Sequence, residues 1–365
     1  MTTAPKKRLR SGFTTGACAA AAAQAACQLL LSGQDVRQVT IPFPDGQRHT
    51  FVVHGCQRLN QNQARAAVIK DAGDDPDVTN GAEISVEIML TPGSGPAPLA
   101  ITFVAGAGVG QVTKPGLALA VGEPAINPGP RTMIEAALGE LLRAYPDQGP
   151  RAITCTIAIA RGLELAQKTL NARLGIVGGL SILGTTGIVR PVSAEAWTAT
   201  IQASMAVARE TGCREIVLST GRTSEKAVQE LLGLPVEAYA MMGDYLHFSL
   251  TAAPSHGFQK IHLAGMWAKV LKAAMAIPQT HVRHGALEVK EAAAFIGQLA
   301  GDPALARELA DANTAREIHD RLLAQGRGEL IRQVCLAARQ YAQGVAGLPV
   351  AVYLVTGVNQ VACHV

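Results

Sequence analysis

The chain has 365 residues, of which 48% are hydrophobic and 16% charged, and its formal net charge is +4. This composition excludes a disordered or fibrous chain, and the few aromatic residues offer no stacking platform for nucleic acid. Seven cysteines without a C-x-x-C pair argue against a disulfide framework or a thiolate zinc site and favour a reducing cytoplasm. The length predicts two domains.

The first half, residues 1–190, is predicted to be an α+β domain. Thr14 or Thr15 can cap an alanine-rich helix over about 16–31, which Gly33 would end. The basic residues before it imitate a signal peptide, but the short apolar length and two glutamines favour a buried helix of a soluble protein. Short strand-like runs follow, separated by Gly, Pro, Asn and Asp. They are VRQVTI, HTFVV, AAVIK, ISVEIML and LAITFVAG.

The rest of this half is less regular. Residues 113–131 contain four prolines without periodicity, which indicates an ordered irregular loop. Helices are predicted over about 132–145 and 163–174, with the strand AITCTIAIA between them. The glycine-rich run GIVGGLSILGTTGIVRP fits neither a helix nor a strand; its amides could cradle an anion, and close packing explains its glycines equally well.

From residue 191 to residue 365 the pattern alternates between helices and strands. It predicts an α/β domain with a mostly parallel, Rossmann-like sheet. Predicted helices cover 193–211, 223–232, 243–252 and 266–276, and three more helical segments precede the last predicted strand. Predicted strands are EIVLST, VEAYAM, KIHLAG and PVAVYLVT. In open parallel sheets ligands bind beyond the carboxyl ends of the strands, where this chain has glycine-bearing turns.

Four aspartates crowd the stretch KDAGDDPDVTNGAEI, residues 70–84. An EF-hand loop starting at Asp75 would need Gly and Glu where Asn80 and Val86 stand, so a calcium loop is excluded. A hydrogen-bonded turn between two strands remains open, and so do a contact to a cationic ligand and, as the weakest alternative, another metal site.

The turns of the second half suggest ligand contacts. Gly221 in STGRTS and Gly265 in AGMW are candidates to approach a nucleoside-like cofactor, and Asp244 in MMGDY could accept ribose hydroxyls or cap a helix. The pattern G-x-G-x-x-G does not follow the first strand, so this signature is weak. His281 and His284 in QTHVRHG have ligand spacing, but without a third ligand in reach we predict substrate contact and no bound metal.

Several long strings resemble the cobalt-precorrin-5B C(1)-methyltransferase family, CbiD, of cobalamin biosynthesis. They are RSGFTTGACAAAAA, VIKDAGDDPDVTNGAEI, GVGQVTKPGLALAVGEPAINPGPR, GLSILGTTGIVRP and, more loosely, MMGDYLHFSLTAAPSHGFQKIHLAGMWAKVLKAA. The resemblance covers most of the chain. It departs at Asp244, where the family usually has Asn, and this difference weakens the ribose role of Asp244. It also departs at QTHV, where the family has NTHS, so that His281 belongs to the motif and His284 does not.

The resemblance implies methyl transfer from S-adenosylmethionine, as co-substrate, to ring carbon 1 of precorrin-5B, giving precorrin-6A. The donor is a sulfonium cation, for which the implied contacts are Asp75, Gly221, Asp244 and Gly265. The acceptor is a tetrapyrrole with many carboxylates, which arginines and loop amides would hold. Implied acceptor contacts are Thr14, Thr15, Lys114, Arg131, Thr185, Thr186, Arg190 and His281.

No catalytic acid or base is predicted, because alignment of the methyl group and exclusion of water supply most of what methyl transfer needs. A tetrapyrrole carrier that performs no chemistry is the alternative. We expect no nucleic-acid or membrane partner. The sequence does not decide whether the protein forms a homo-oligomer. It also does not decide whether the acceptor carries cobalt.

Overall fold

The structure, a computed structural model, describes residues 9–91, 99–146, 152–278, 287–357 and 360–365. It divides into two compact units, Met1–Ala194 and Glu195–Val365, and each has its own hydrophobic core. Helices and several sheets occur together, so the chain is a mixed α/β protein.

The first unit combines short strands with two long helices. Its elements are β1 (Gly12–Phe13), α1 (Thr15–Ser32), β2 (Gln38–Pro42), β3 (Arg48–Val52), β4 (Gly55–Arg58), β5 (Gln63–Ile69), β6 (Glu83–Thr91), β7 (Ala100–Ala105), β8 (Gln111–Val112), α2 (Pro128–Arg143), β9 (Ala152–Ile159), α3 (Gly162–Ala166), β10 (Ile176–Val177) and β11 (Ile188–Val189).

The core of this unit lies between a sheet and the two long helices. The sheet has the order β4-β5-β6-β9-β7, antiparallel except for the parallel pair β7 and β9. The helix α1 packs on β5, on β6 and on α2. Its alanines are fully buried because a methyl side chain lets the helix backbone approach the sheet closely. The predicted buried helix is therefore confirmed.

Both ends of α1 lie where the sequence predicts them. The Thr14 hydroxyl accepts a hydrogen bond from the Ala17 N–H at 3.2 Å, and Gly33, with φ +70°, ends the helix. By length and composition α1 could cross a membrane, but 78% of that segment is buried inside the unit, as in the core helix of a soluble protein.

Two helix predictions in this unit are wrong at their boundaries. The helix α2 begins at Pro128 rather than near 132, since proline is well suited to the first helical position. The segment 163–174 is helical only to Ala166. There the Thr169 hydroxyl donates to the Ala166 carbonyl and accepts from the Asn171 N–H, so side-chain bonds replace the helical ladder. The sequence reading also missed β4.

The second unit alternates helices and strands. Its elements are α4 (Ala194–Glu210), β12 (Glu215–Ser219), α5 (Arg222–Leu232), β13 (Tyr239–Met241), α6 (Leu246–Ser255), β14 (Lys260–Met266), α7 (Trp267–Ala274), α8 (Val289–Ala300), α9 (Pro303–Leu309), α10 (Ala315–Ala324), α11 (Gly328–Ala346), β15 (Val350–Val355) and β16 (Val361–His364).

One five-stranded sheet organises this unit, in the order β13-β12-β14-β15-β16. The first four strands are parallel and β16 is antiparallel to β15, so the sheet is mixed. Two helices begin later than predicted. A turn in which the Tyr245 N–H donates to the Met242 carbonyl, with Gly243 at φ +57°, delays the start of α6 to Leu246. The helix α7 starts at Trp267 because β14 extends to Met266.

Candidate functional site

The acidic loop of the first unit is tied to the N-terminal segment. The Arg10 guanidinium donates to both carboxylate oxygens of Asp71, at 2.5 and 2.8 Å, and the Arg10 N–H donates to Asp74 at 2.7 Å. The bonds from Arg10 lower the pKa of Asp71 to about 2, and a bond from the Gly73 N–H adds to the shift. Two of the aspartates are thus occupied by one arginine.

Asp77 forms an ion pair with a buried lysine. Lys70 is 1% exposed, and its ammonium lies 2.7 Å from Asp77. The other Asp77 oxygen accepts from the Thr79 N–H and hydroxyl, at 2.7 and 2.6 Å. Burial opposes ionisation of Asp77, but the Lys70 and Thr79 donors outweigh it, so its pKa is lowered. This pair holds the loop against the core.

Asp75 has a different partner. One of its oxygens accepts a hydrogen bond from the Val192 N–H at 2.8 Å, which ties the acidic loop to the end of the unit. Every aspartate in the stretch therefore accepts hydrogen bonds from within the unit, as the turn hypothesis predicts. The contact of Asp75 with a cationic donor stays a prediction.

Two Thr-Thr-Gly loops, one before α1 and one before β11, pack against each other. The Thr14 N–H donates to the Gly187 carbonyl at 2.9 Å, and the Gly16 N–H donates to the Leu183 carbonyl at 3.0 Å. The Thr15 hydroxyl accepts from the Leu183 N–H at 2.9 Å. Thr14 and Thr15 are buried, so their hydroxyls serve the cap and this loop contact. Their contact with an acceptor stays a prediction.

Three other predicted acceptor residues lie in or just after the second of these loops. Thr185 and Thr186 are exposed, and the Thr186 hydroxyl donates to the Ile188 carbonyl and accepts from the Ile188 N–H within its own turn. Arg190 is exposed directly after β11. The structure thus brings the second Thr-Thr-Gly loop to Thr14, whereas Arg190 lies further along the chain, opposite Ser11.

The remaining predicted acceptor residues are more dispersed. Arg131 donates to the Ile126 carbonyl at 2.8 Å and to Glu123 at 3.1 Å, and its guanidinium lies over the Phe103 ring, so it anchors the proline-rich loop. The Lys114 ammonium donates to the Arg173 carbonyl at 3.2 Å. His281 and its neighbour His284 lie outside the described residues.

In the second unit, the predicted glycines lie at the carboxyl ends of β12 and β14. Gly221 precedes α5 with φ 173°, and a Cβ built there meets no atom within 4 Å. Gly265 is buried in β14, and its Cβ would lie 3.3 Å from Thr220. The Thr220 N–H donates to the Ala264 carbonyl at 3.0 Å, which joins the two strand ends. The surface above Gly221 is therefore open.

Asp244 lies at the same edge and forms an ion pair with Lys269 of α7. Its predicted alternative as a helix cap is wrong, because α6 begins at Leu246 with Tyr245 as its N-terminal cap residue. Lys272, one turn after Lys269, is buried, and burial lowers its pKa, with the nearby Lys269 charge adding to the effect. Sequence reasoning missed Lys269, although its spacing after Gly265 in AGMWAK places it in the first turn of the helix that follows the strand.

A small cavity lies beneath this edge, lined by Thr220, Met242, Gly265 and Lys269 among others. Its volume is about 10 Å³, room for one water molecule. Within the described ranges, no group of three His, Cys, Asp or Glu side chains is placed to hold a metal ion.

Comparison with known proteins gives the following matches. The family model CbiD matches residues 2–191, and the model of the CbiD C-terminal domain matches residues 279–362. Cobalt-precorrin-5B C(1)-methyltransferase of Desulfotalea psychrophila is 55% identical over 358 residues, which are 97% of each chain. The protein of the same name from Geobacter metallireducens is 46% identical over 352 residues, 93% of this chain and 94% of the relative.

One solved structure also matches. It is the crystal structure of the cobalamin biosynthesis protein cbiD from Archaeoglobus fulgidus, 23% identical, with a TM-score of 0.39 over 87% of this chain and 85% of that chain.

Proposed function

The chain belongs to the CbiD family, and from this membership we propose that it is a cytoplasmic, S-adenosylmethionine-dependent methyltransferase that methylates ring carbon 1 of cobalt-precorrin-5B. The product is cobalt-precorrin-6A. The observation that carries the proposal is the identity, over almost the full length of both chains, with a relative of that name.

We further propose that the second unit holds the donor on a Rossmann-like sheet. The chain runs from β12 outward to β13 and then returns to place β14 on the other side of β12, so the strand order reverses between β12 and β14. In open α/β sheets the crevice at such a reversal, outside the carboxyl ends of the strands, binds ligands. Gly221 and Gly265 lie at these two ends.

The open surface at Gly221 supports this assignment. The backbone there is extended and a methyl group would meet no neighbour, so the fold itself does not require glycine at this position. Close approach of a ligand to the backbone is a separate reason for glycine. The enclosed cavity below is too small for a nucleoside, so the donor would lie above it. Asp244 remains a candidate contact whose charge Lys269 already balances.

Methyl transfer requires little acid or base catalysis from the protein. The bond between sulfur and the methyl group breaks as the bond from ring carbon 1 to the methyl carbon forms, and the sulfonium becomes a neutral thioether. Because positive charge disappears from sulfur, a site that aligns the two atoms and excludes water lowers the barrier. The open backbone surface at Gly221 suits such positioning.

The reaction is tested by incubating the protein with methyl-labelled S-adenosylmethionine and precorrin-5B, prepared with and without cobalt. Mass spectrometry then follows the label into the tetrapyrrole. We expect label in the cobalt form. Absence of label from both preparations, with the acceptor still bound, would contradict the methyltransferase assignment and favour the carrier.

The donor site is tested by Gly221→Ala. Because the added methyl group meets open space, the fold should lose no more than about 1 kcal/mol of stability, as for glycine replaced by alanine at a helix cap. We expect donor affinity, measured by calorimetry, to fall at least about tenfold, which is about 1.4 kcal/mol. Gly328→Ala is the matched control, since Gly328 also begins a helix of this unit in open space. Equal donor affinity in both variants would place the donor elsewhere.

A further inference from the structure

The first unit has a cleft of about 640 Å³ that the donor proposal does not use. We propose that this cleft binds a carboxylate-bearing arm of the tetrapyrrole acceptor and that Arg190 is its cationic contact. This inference rests on the proposed function for the identity of the acceptor. Lining residues are Leu9, Ser11, Asp45, Gln47, His49, Ile188, Arg190 and Pro191.

One wall of the cleft is the short ladder between β1 and β11. Gly12 pairs with Val189 and Phe13 with Ile188, so the antiparallel register continues to place Ser11 opposite Arg190. The Asp75 carboxylate binds the Val192 N–H two residues further on. The backbone that carries Arg190 is thus fixed on both sides, while its side chain is exposed.

The opposite wall is the turn between β2 and β3. The Gln47 N–H donates to the Asp45 carboxylate at 3.0 Å, which shapes the turn. His49 lies on β3, and its ring packs against Phe43, at 4.3 Å between centroids, and against Phe13 of β1, at 5.5 Å. These ring contacts join the two walls and form an apolar floor.

Arg190 differs from three other arginines of this unit. Arg10 and Arg131 have carboxylate partners, as does Arg48, which lies 2.9 Å from Glu140. Arg190 has no ion pair or side-chain hydrogen bond with any residue that the structure describes. A guanidinium is a planar fork of donors that matches a carboxylate in bidentate geometry. A ligand carboxylate is therefore the natural complement of this side chain.

The other polar groups of the cleft fit an arm with a charged tip. The Ser11 hydroxyl, opposite Arg190, can donate to the same carboxylate. The Nε2 atom of His49 is buried and has no hydrogen-bond partner in the described ranges. Asp45 faces the same space and opposes an anion. The cleft is open to solvent, so it can receive an arm of a ligand whose body lies outside it.

Arg190 and Asp45 carry opposite charges, so neutralising each in turn tests whether an anionic arm of the ligand lies in the cleft. The probe is uroporphyrin III, a stable tetrapyrrole with acetate and propionate arms, and its affinity is read from quenching of porphyrin fluorescence. For an anionic arm, Arg190→Gln should raise the Kd about tenfold, and Asp45→Asn should lower it about twofold. The amide in Asp45→Asn retains an oxygen that can accept from the Gln47 N–H, so the turn is kept.

Arg214→Gln is the matched control, because Arg214 is an exposed arginine of the second unit and the charge change is the same. We expect its Kd for uroporphyrin III to equal that of the unaltered protein. Equal effects of Arg190→Gln and Arg214→Gln would overturn the proposal, because they would reduce the role of Arg190 to net charge. A higher Kd in Asp45→Asn would also overturn it, because removal of a negative charge from the cleft must favour an anionic arm that binds there.

Methyl transfer separates this inference from the proposed function. Loss of uroporphyrin binding in Arg190→Gln, in a protein that transfers no methyl group, would uphold the cleft and reject the reaction. Normal methyl transfer by Arg190→Gln, with an unchanged KM for the acceptor, would uphold the reaction and reject the cleft. If the protein catalyses methyl transfer and the cleft binds the acceptor, Arg190→Gln raises the KM for the acceptor and leaves the Kd for the donor unchanged.

Discussion

The carboxylate of Asp75 holds the backbone N–H of Val192 at 2.8 Å, across 117 positions of sequence. Val192 has φ +56°, a left-handed conformation that β-branched residues rarely adopt. The acidic loop therefore fixes a strained backbone position just after Arg190, where the first unit ends. Strain of this kind persists only when surrounding contacts enforce it.

Val192→Gly should stabilise the protein. Glycine relieves about 1–2 kcal/mol of left-handed strain and loses about 0.5–1 kcal/mol through the entropy of the unfolded chain, for a net gain of about 0.5–1 kcal/mol. Val52→Gly is the control, since Val52 is an exposed strand residue and should lose about 1 kcal/mol. Thermal unfolding followed by circular dichroism shows whether each variant gains or loses stability. Equal losses in both variants would show that Val192 is unstrained.

Two substitutions at Asp75 separate its bond to Val192 from its charge. Asp75→Asn keeps an oxygen acceptor for the Val192 N–H, so stability should change by less than about 0.5 kcal/mol, whereas Asp75→Ala should lose about 0.5–1 kcal/mol. A contact of the Asp75 carboxylate with the sulfonium donor, which the family resemblance implies, competes with a donor site confined to the second unit. A larger loss of affinity for S-adenosylmethionine than for the tetrapyrrole in Asp75→Asn would favour the contact at Asp75. Unchanged donor affinity in calorimetry would limit the role of the carboxylate to the turn.

The sequence was most informative where local pattern decides structure. Alanine-rich composition, a threonine cap and Gly33 together specify α1, and alternating apolar residues specify the strand β6. The helix predicted over 163–174 failed because side-chain hydrogen bonds at Thr169, visible only in three dimensions, compete with the helical ladder.

Pairing between distant segments was beyond sequence reasoning. The residues that line the cleft come from three separate parts of the chain, and only the register of β1 with β11 places Ser11 opposite Arg190. Asp244 was named from its position after a strand, but its partner Lys269 comes from a helix that starts after the next strand. A single sequence carries no signal for such long-range pairs.

The buried pair of Lys70 and Asp77 should dominate the stability of the acidic loop. Asp77→Ala leaves a buried ammonium without its partner and should lower the free energy of unfolding by about 3 kcal/mol. Lys70→Met should cost less, about 1–2 kcal/mol, because Thr79 still satisfies the carboxylate. Asp35→Ala removes the exposed pair with Arg37 and should cost no more than about 0.5 kcal/mol. Urea unfolding of the three variants tests this order, and similar losses for Asp77→Ala and Asp35→Ala would contradict it.

The same pair should respond to acid. The lowered pKa of Asp77 means that its carboxylate contributes stability above the ordinary value of 3.8, and this contribution is lost as the pH falls through the lowered pKa. We expect acid unfolding of Asp77→Ala to show a weaker dependence on pH below about pH 4 than the unaltered protein. Identical slopes in that range would place the responsible carboxylate elsewhere.

A buried histidine gives the second unit a different pH response. His262 is 2% exposed; its Nε2 lies 2.7 Å from Glu215, and its Nδ1 lies 2.9 Å from the Tyr353 hydroxyl. A neutral ring satisfies both contacts, with Nε2–H donating to the carboxylate and Nδ1 accepting from the hydroxyl. Burial lowers the pKa of His262 below its ordinary value of 6.5, although the hydrogen bond to Glu215 opposes the shift.

Because the folded-state pKa lies below the unfolded value, the stability that His262 contributes is present above 6.5 and is lost as the pH falls below it. The unaltered protein should therefore lose more stability than His262→Gln between about pH 7.5 and pH 5.5, measured by urea unfolding at each pH. Glu215 does not confound this window, since its pKa is lowered from 4.5 by the His262 hydrogen bond and it stays ionised throughout. His256, whose pKa burial also lowers, is common to both proteins, so its contribution cancels in the comparison. A loss of equal size in both proteins would show that His262 binds no additional proton on unfolding.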